Sequence, residues 1–387
     1  MVAFVKNYPF EIRLLLLSLH YKTFFKIFQI ILIILNVSGF IVCIIGRLAL
    51  YHKSEYFKNE MVIFISCFSD FLLVFVSIMG VVGFIRSAFI VKLFTFLSKR
   101  KFTPKESNSS HSRIICAMRL APLAPILVEG FFLQDRVGWH LHQYFVPRSI
   151  WLYCLNLMVC TCAQLVDKIN IHFIGMNDYL EELGRDCPFA HQRVFYIPKF
   201  YTRKNRISPE LSCSIRDLLT LSRHYTVLCN LIDRFNCFIK AFLAIMLITA
   251  IVNILYNCTV LISFGTKPKS GNTLLYSNIF VFAIQSMSAL STVGQIAVSS
   301  LIGEKLQGQG ERTASLCYTF LNKINNSKQY PCDQLVVQEI TFLLDQSKTR
   351  KLCLHAGGFF QVNWGLLGAV TSTVSTYCIV IMQFVSK

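Results

Sequence analysis

Charge is what this sequence has least of. Only 15% of its 387 residues are Asp, Glu, Lys or Arg, where soluble domains carry about a quarter. Acidic residues are the scarcer sign, 20 against 38 basic ones, for a formal charge of +18. Apolar residues make up 54% of the chain, and Phe alone occurs 34 times. This balance excludes an ordinary soluble domain and points to a chain immersed in lipid. The positive charge forms no basic stripe on a soluble fold, so nucleic acid is not an expected partner. What matters is the side of a membrane on which the charges lie.

Signatures of chemistry are also missing. The 15 cysteines are scattered and form no CxxC pair. Cys160 and Cys162 are close, but no His stands at metal spacing beside them. They read as small apolar side chains and reduced thiols. The stretch "GEKLQGQGER" has glycines, but no strand precedes it and no GK[ST] ends it, so it is not a phosphate loop. Without a catalytic triad, a metal cluster or paired carboxylates, neither an enzyme nor a cofactor is expected. The amino-terminal "LLLLSL" is flanked by basic residues and followed by no small-residue cleavage site, which argues against a cleavable signal.

What is there is length in apolar runs. A helix needs about 20 such residues to cross a bilayer. Clear candidates are residues 27–50, 61–90, 146–166, 238–263 and 274–302. A further one, 357–385, is rich in Gly, Ser and Thr but uncharged. A weaker one, 113–134, contains "RLAPLAPILVEGFF". Seven spans give an alternating charge pattern. On one side the segments carry 4, 7, 10 and 7 basic residues; on the other they carry 2, 1, 2 and 1. Basic loops stay in the cytoplasm. The expectation is an all-α polytopic membrane protein with a cytoplasmic N-terminus and an extracellular C-terminus.

The long inner segments also carry order. "MNDYLEELGRD", "RDLLTLSRHYTVLCNLIDRFNCFIKAF" and "DQLVVQEITFLLDQS" space apolar residues at helical intervals. Leu218, Leu221, Tyr225, Leu228 and Ile232 run without a breaker into the 238–263 span. Spans four to six are therefore expected to continue as helices and pack in the cytoplasm. The chain divides into residues 1–237, with four spans and a cytoplasmic extension, and residues 238–387, with three spans, an anchor and the last helix. The sequons at Asn108 and Asn325 fall on the inner side, and glycosylation is expected nowhere or at Asn257 alone.

The last span holds the most specific pattern. Gly365, Ala369, Thr373, Thr376, Val380 and Gln383 follow at steps of three or four and share one small, polar helical face. A close helix contact or water would suit it. Near the end stands "TYCIVIMQF": Thr376, Tyr377, five residues, then Gln383 and Phe384. Here the sequence resembles the insect gustatory receptors, relatives of the odorant receptors, whose last span carries TY, five mostly apolar residues and QF. "GGFFQVNWGLLGAVTSTVS" before it is also similar to that family's last helix. The motif covers about 30 residues; the length and layout match over the whole chain.

The resemblance implies a homo- or hetero-tetrameric, ligand-gated, non-selective cation channel in the plasma membrane of sensory neurons, in contact with lipid. The last span of each subunit would line the pore, and the cytoplasmic helices would hold the tetramer. Gln383 would face the conduction path, Val380 and Phe384 would form an apolar constriction, and Thr373 and Thr376 would line the vestibule or a subunit contact. Tyr377 would pack against a neighbouring helix. A small-molecule tastant would bind inside the outer half of each bundle. Sugar-sensing members tend to carry Glu after the TY; here Cys378 stands there, which leaves bitter, pheromone or other ligands, bitter being the larger class.

Aromatic and ionisable residues near outer span ends are candidate ligand contacts: Glu129, Phe131, Trp151, Tyr256 and Tyr276. Packing or an interfacial belt would explain the aromatics equally. Asp70 is placed to pair with Arg47 or to face a hydrated cavity. Two rival classes remain. "DRV" at Asp135–Val137 resembles the DRY triplet of G-protein-coupled receptors, but lies on the outer side in this topology. A transporter is the other.

Overall fold

The computed structural model describes residues 22–53, 60–86, 120, 123, 126–128, 143–144, 146–185, 209–265, 272–326 and 334–385. These are helical apart from turns and one short hairpin. Helices α1 (Lys22–Lys53) and α2 (Glu60–Arg86) are almost wholly apolar, and what they expose identifies their surroundings. α1 turns Ile30, Ile34, Ile41 and Ile45 outward. α2 turns out Phe64, Phe68, Phe71 and Phe75, each 42% to 68% exposed, with rings stacked in pairs. Water does not tolerate so continuous an apolar surface; hydrocarbon does. Of the expected third span, residues 120, 123 and 126–128 are helical. Glu129 and Phe131 lie outside the described residues.

Three helices far exceed a bilayer: α3 (Val146–Arg185), α4 (Pro209–Gly265) and α5 (Asn272–Asn326), of 40, 57 and 55 residues. At 1.5 Å per residue α4 is roughly 85 Å long, against about 30 Å of hydrocarbon. The expected extensions are therefore real and continuous, and α4 runs unbroken through residues 237 and 238. The stripe Leu218, Leu221, Tyr225, Leu228 and Ile232 is buried throughout, with Phe173 of α3 edge-on to Tyr225 at 5.8 Å. Polar contacts lock α3 to α5 in the same region. Asn177 donates to the backbone carbonyl and side chain of Gln309 and accepts from Thr313 at 2.7 Å. Arg312 reaches both Asp178 and Glu181 at 2.9 Å. Helix α6 (Gln334–Thr349) closes this bundle with Val336, Ile340, Leu343 and Leu344.

The last span begins later than the sequence implied. Residues 357–363, which read as its start, belong to a hairpin of β1 (His355–Ala356) and β2 (Phe360–Gln361); helix α7 runs from Trp364 to Val385. Gly357 and Gly358 take φ of 66° and 83°, a region open to glycine at little cost. The hairpin is held from both sides. Gly357 donates its N–H to the Lys240 carbonyl of α4 at 2.7 Å. Asn236 of α4 donates to the Cys353 carbonyl and accepts from the His355 N–H.

Candidate functional site

Two features stand out: a polar crevice inside the bundle and the outward face of α7. The crevice lies among α3, α4 and α5, with Ile126 at its edge, and is lined by Leu152, Thr249, Asn253, Ser291, Thr292 and Gln295. Its free space is about 30 Å³, enough for a water or two. Hydrogen bonds between helices close its walls. Asn253 donates to Thr292 at 3.0 Å, Asn257 to Ser288 at 3.3 Å and Gln295 to Asn156 at 3.2 Å.

A buried ion cluster adjoins the crevice through Asn253. Asp70 of α2 receives Arg47 of α1 on one oxygen at 2.6 Å and Arg148 of α3 on the other. All three side chains are buried. Arg47 also donates to Ser66, and Arg148 to Ser69 and, at 3.0 Å, to Asn253. Tyr256 lies under both guanidinium groups, 4.4 Å from Arg148 and 5.5 Å from Arg47. Charges this deep in a bilayer persist only when paired and hydrogen-bonded. The cluster staples α1, α2, α3 and α4 together.

Of the expected ligand contacts, Tyr256 thus stacks on the ion cluster. Trp151 is buried at 3% exposure and stands near Gly39, where an added Cβ would lie 3.2 Å from its ring. Tyr276 is in the first turns of α5, its side chain outside the described residues. Neither Trp151 nor Tyr256 lines the crevice. Its polar residues were missed, although Asn253 and Gln295 are visible in the sequence as amides inside apolar runs. Glycosylation at Asn257 is ruled out by its burial and its bond to Ser288.

On α7, Leu366, Val370 and Ile381 are buried against the subunit, while Gly365, Ala369, Thr376, Val380 and Gln383 are exposed and Thr373 is half-buried. The small, polar face therefore points away from its own bundle. The hydroxyls of Thr373 and Thr376 donate to the carbonyls of Ala369 and Ser372, which leaves their oxygens free to accept. Tyr377 is 54% exposed and is not part of the subunit core. Phe384 is helical, with its side chain outside the described residues.

The family model described as 7tm Chemosensory receptor matches residues 19–387. The chain belongs to that family. The receptor is also similar in fold to the insect olfactory receptor OR5 from Machilis hrabei. The structure of OR5 in complex with eugenol gives a TM-score of 0.55, and that of OR5 alone gives 0.56. In both, identity is 12% and the match covers 95% of this chain and 99% of the other. No curated protein matches this chain in sequence. The receptor is thus an all-helical, multi-pass membrane protein. Five described segments are long and apolar enough to cross a membrane.

Proposed function

We propose that this chemosensory receptor is a gustatory, ligand-gated cation channel for bitter or other non-sugar tastants, working as a tetramer in the plasma membrane. Seven spans place its N-terminus in the cytoplasm and its C-terminus outside. The observation that carries the reading is the outward face of α7. Hydroxyls, glycines and an amide turned away from the bundle are poorly suited to hydrocarbon. Copies of α7 around a central axis would give that face water and a partner helix instead. Gln383 then lines the conduction path, with Val380 and Phe384 as the constriction and Thr373 and Thr376 towards the vestibule.

The crevice is the natural entry point for a tastant. A small organic molecule, as eugenol is for the solved relative, exceeds the present space. It enters by parting Asn253 from Thr292, which moves α5 relative to α4. Both helices hold the hairpin that leads into α7, so the movement reaches the pore helix. The test is whole-cell recording from cells expressing the receptor, alone and with related receptors, against a tastant panel. An epitope at the N-terminus is probed on intact cells in parallel. Evoked cation current with an inaccessible epitope is the expected result. An accessible epitope, with responses that require a G protein, would overturn it.

A further inference from the structure

The buried ion cluster carries more positive than negative charge. Among the described residues, Arg47, Asp70 and Arg148 are the only buried Asp, Glu, Lys or Arg side chains. Their one carboxylate is shared, with Arg47 on one oxygen and Arg148 on the other. Two guanidinium groups against one carboxylate leave a positive charge in excess. The Tyr256 ring beneath both adds a favourable quadrupole but no counter-charge. Ser66, Ser69 and Asn253, which accept the other hydrogen bonds, are neutral. An arginine cannot shed its proton, and charge held inside a bilayer without a counter-charge is costly.

The excess lies next to the crevice. Nη2 of Arg148 donates to Oδ1 of Asn253 at 3.0 Å, and Asn253 lines the crevice. A single amide therefore separates the guanidinium from the free space. The described lining contains the hydroxyls of Ser288, Ser291 and Thr292 and no Asp or Glu, so it offers donors to an anion and nothing to repel one. We propose that the crevice takes small organic acids, the ligand's carboxylate replacing the Asn253 oxygen on Arg148. This rests on the crevice being the entry point for a tastant, and it names the tastant's chemical class. Asn253 is the residue that moves when a ligand parts α4 from α5. The oxygen it gives up is a neutral acceptor; a carboxylate brings a full charge and a stronger hydrogen bond to the same guanidinium. A neutral molecule of the same shape leaves the excess charge in place.

The test uses the full-length receptor in phosphatidylcholine nanodiscs at neutral pH and reads its thermal midpoint against sodium benzoate, benzamide and sodium chloride. Benzoate and benzamide share a ring and a size and differ in charge. Benzoate is expected to raise the midpoint at a concentration at least about tenfold below that which benzamide requires, with no shift from chloride at matched ionic strength. Asn253→Asp sets a carboxylate of the protein itself against Arg148. It should hold the midpoint near or above that of wild type and abolish the benzoate shift. Ser291→Leu, which fills the crevice, should abolish that shift as well. The proposal is overturned if benzamide matches benzoate, if neither moves the midpoint, if chloride alone reproduces the shift, or if Asn253→Asp responds to benzoate as wild type does. Because binding is read without current, the two readings fail separately. A receptor that binds benzoate and never conducts refutes the channel and leaves the acid site standing; currents evoked equally by benzoate and benzamide do the reverse.

Discussion

Gly303 of α5 yields its Cβ position to the carbonyl oxygen of Val362, the residue that leads from the hairpin towards α7. A Cβ at Gly303 would lie 1.8 Å from that oxygen. Gly303→Ala therefore cannot be absorbed by a side-chain rotation; the hairpin must move. The expected cost is about 1–3 kcal/mol, seen as a lower midpoint in a thermal size-exclusion assay. Gly308→Ala on the same helix meets nothing within 4 Å and should leave the midpoint unchanged or raise it through better helix propensity.

Asp70→Asn leaves the Arg47 and Arg148 guanidinium groups facing each other without the carboxylate between them. Removing one partner of a buried ion cluster costs about 3–5 kcal/mol. Surface protein, measured by biotinylation, should fall severalfold. Arg148→Lys keeps the charge but loses the fork that reaches Asp70, Ser69 and Asn253 at once, so it should lie between wild type and Asp70→Asn.

Ser291 lines the crevice. Ser291→Leu should fill it and leave the ion cluster alone. Under the channel reading, the tastant concentration for half-activation rises by roughly tenfold, equivalent to about 1.4 kcal/mol of lost binding, while surface protein stays near wild type. The check is a concentration–response curve.

Leu335 and Phe342 on α6 are 54% and 52% exposed, two turns apart on the face away from the buried residues. If the bundle of helical extensions holds the tetramer, Phe342→Glu should shift the receptor to smaller species on a native gel without lowering its thermal midpoint. Leu228→Glu, which puts a charge into a position with 0% exposure, should instead disrupt the subunit itself.

Periodicity made part of this structure legible. The apolar stripe from Leu218 to Ile232 located a packed extension of α4, and the spacing from Gly365 to Gln383 located the outward face of α7. Both are local patterns on one helix. Pairing across helices leaves no such trace. Arg47 and Asp70 could be matched as opposite charges within neighbouring spans. Arg148, at the start of α3, was not singled out from the sequence and is the third member of the cluster. The crevice needs three helices in register before it exists at all. The hairpin was hidden differently. Gly357 and Gly358 are a turn signal, but the Phe359 and Phe360 that follow continue the apolar run, so the segment read as membrane span.

The central claim is that the outward face of α7 lines a pore, and Gln383→Ala addresses it most directly. The substitution removes one amide from an exposed helix position and leaves the crevice, the ion cluster and the hairpin untouched. The measurement is relative cation permeability from reversal potentials, with tastant half-activation recorded on the same cells and currents normalised to surface protein. The account predicts altered permeability or conductance with half-activation unchanged. Unchanged permeation together with a shifted half-activation would contradict it and make Gln383 a helix-packing residue.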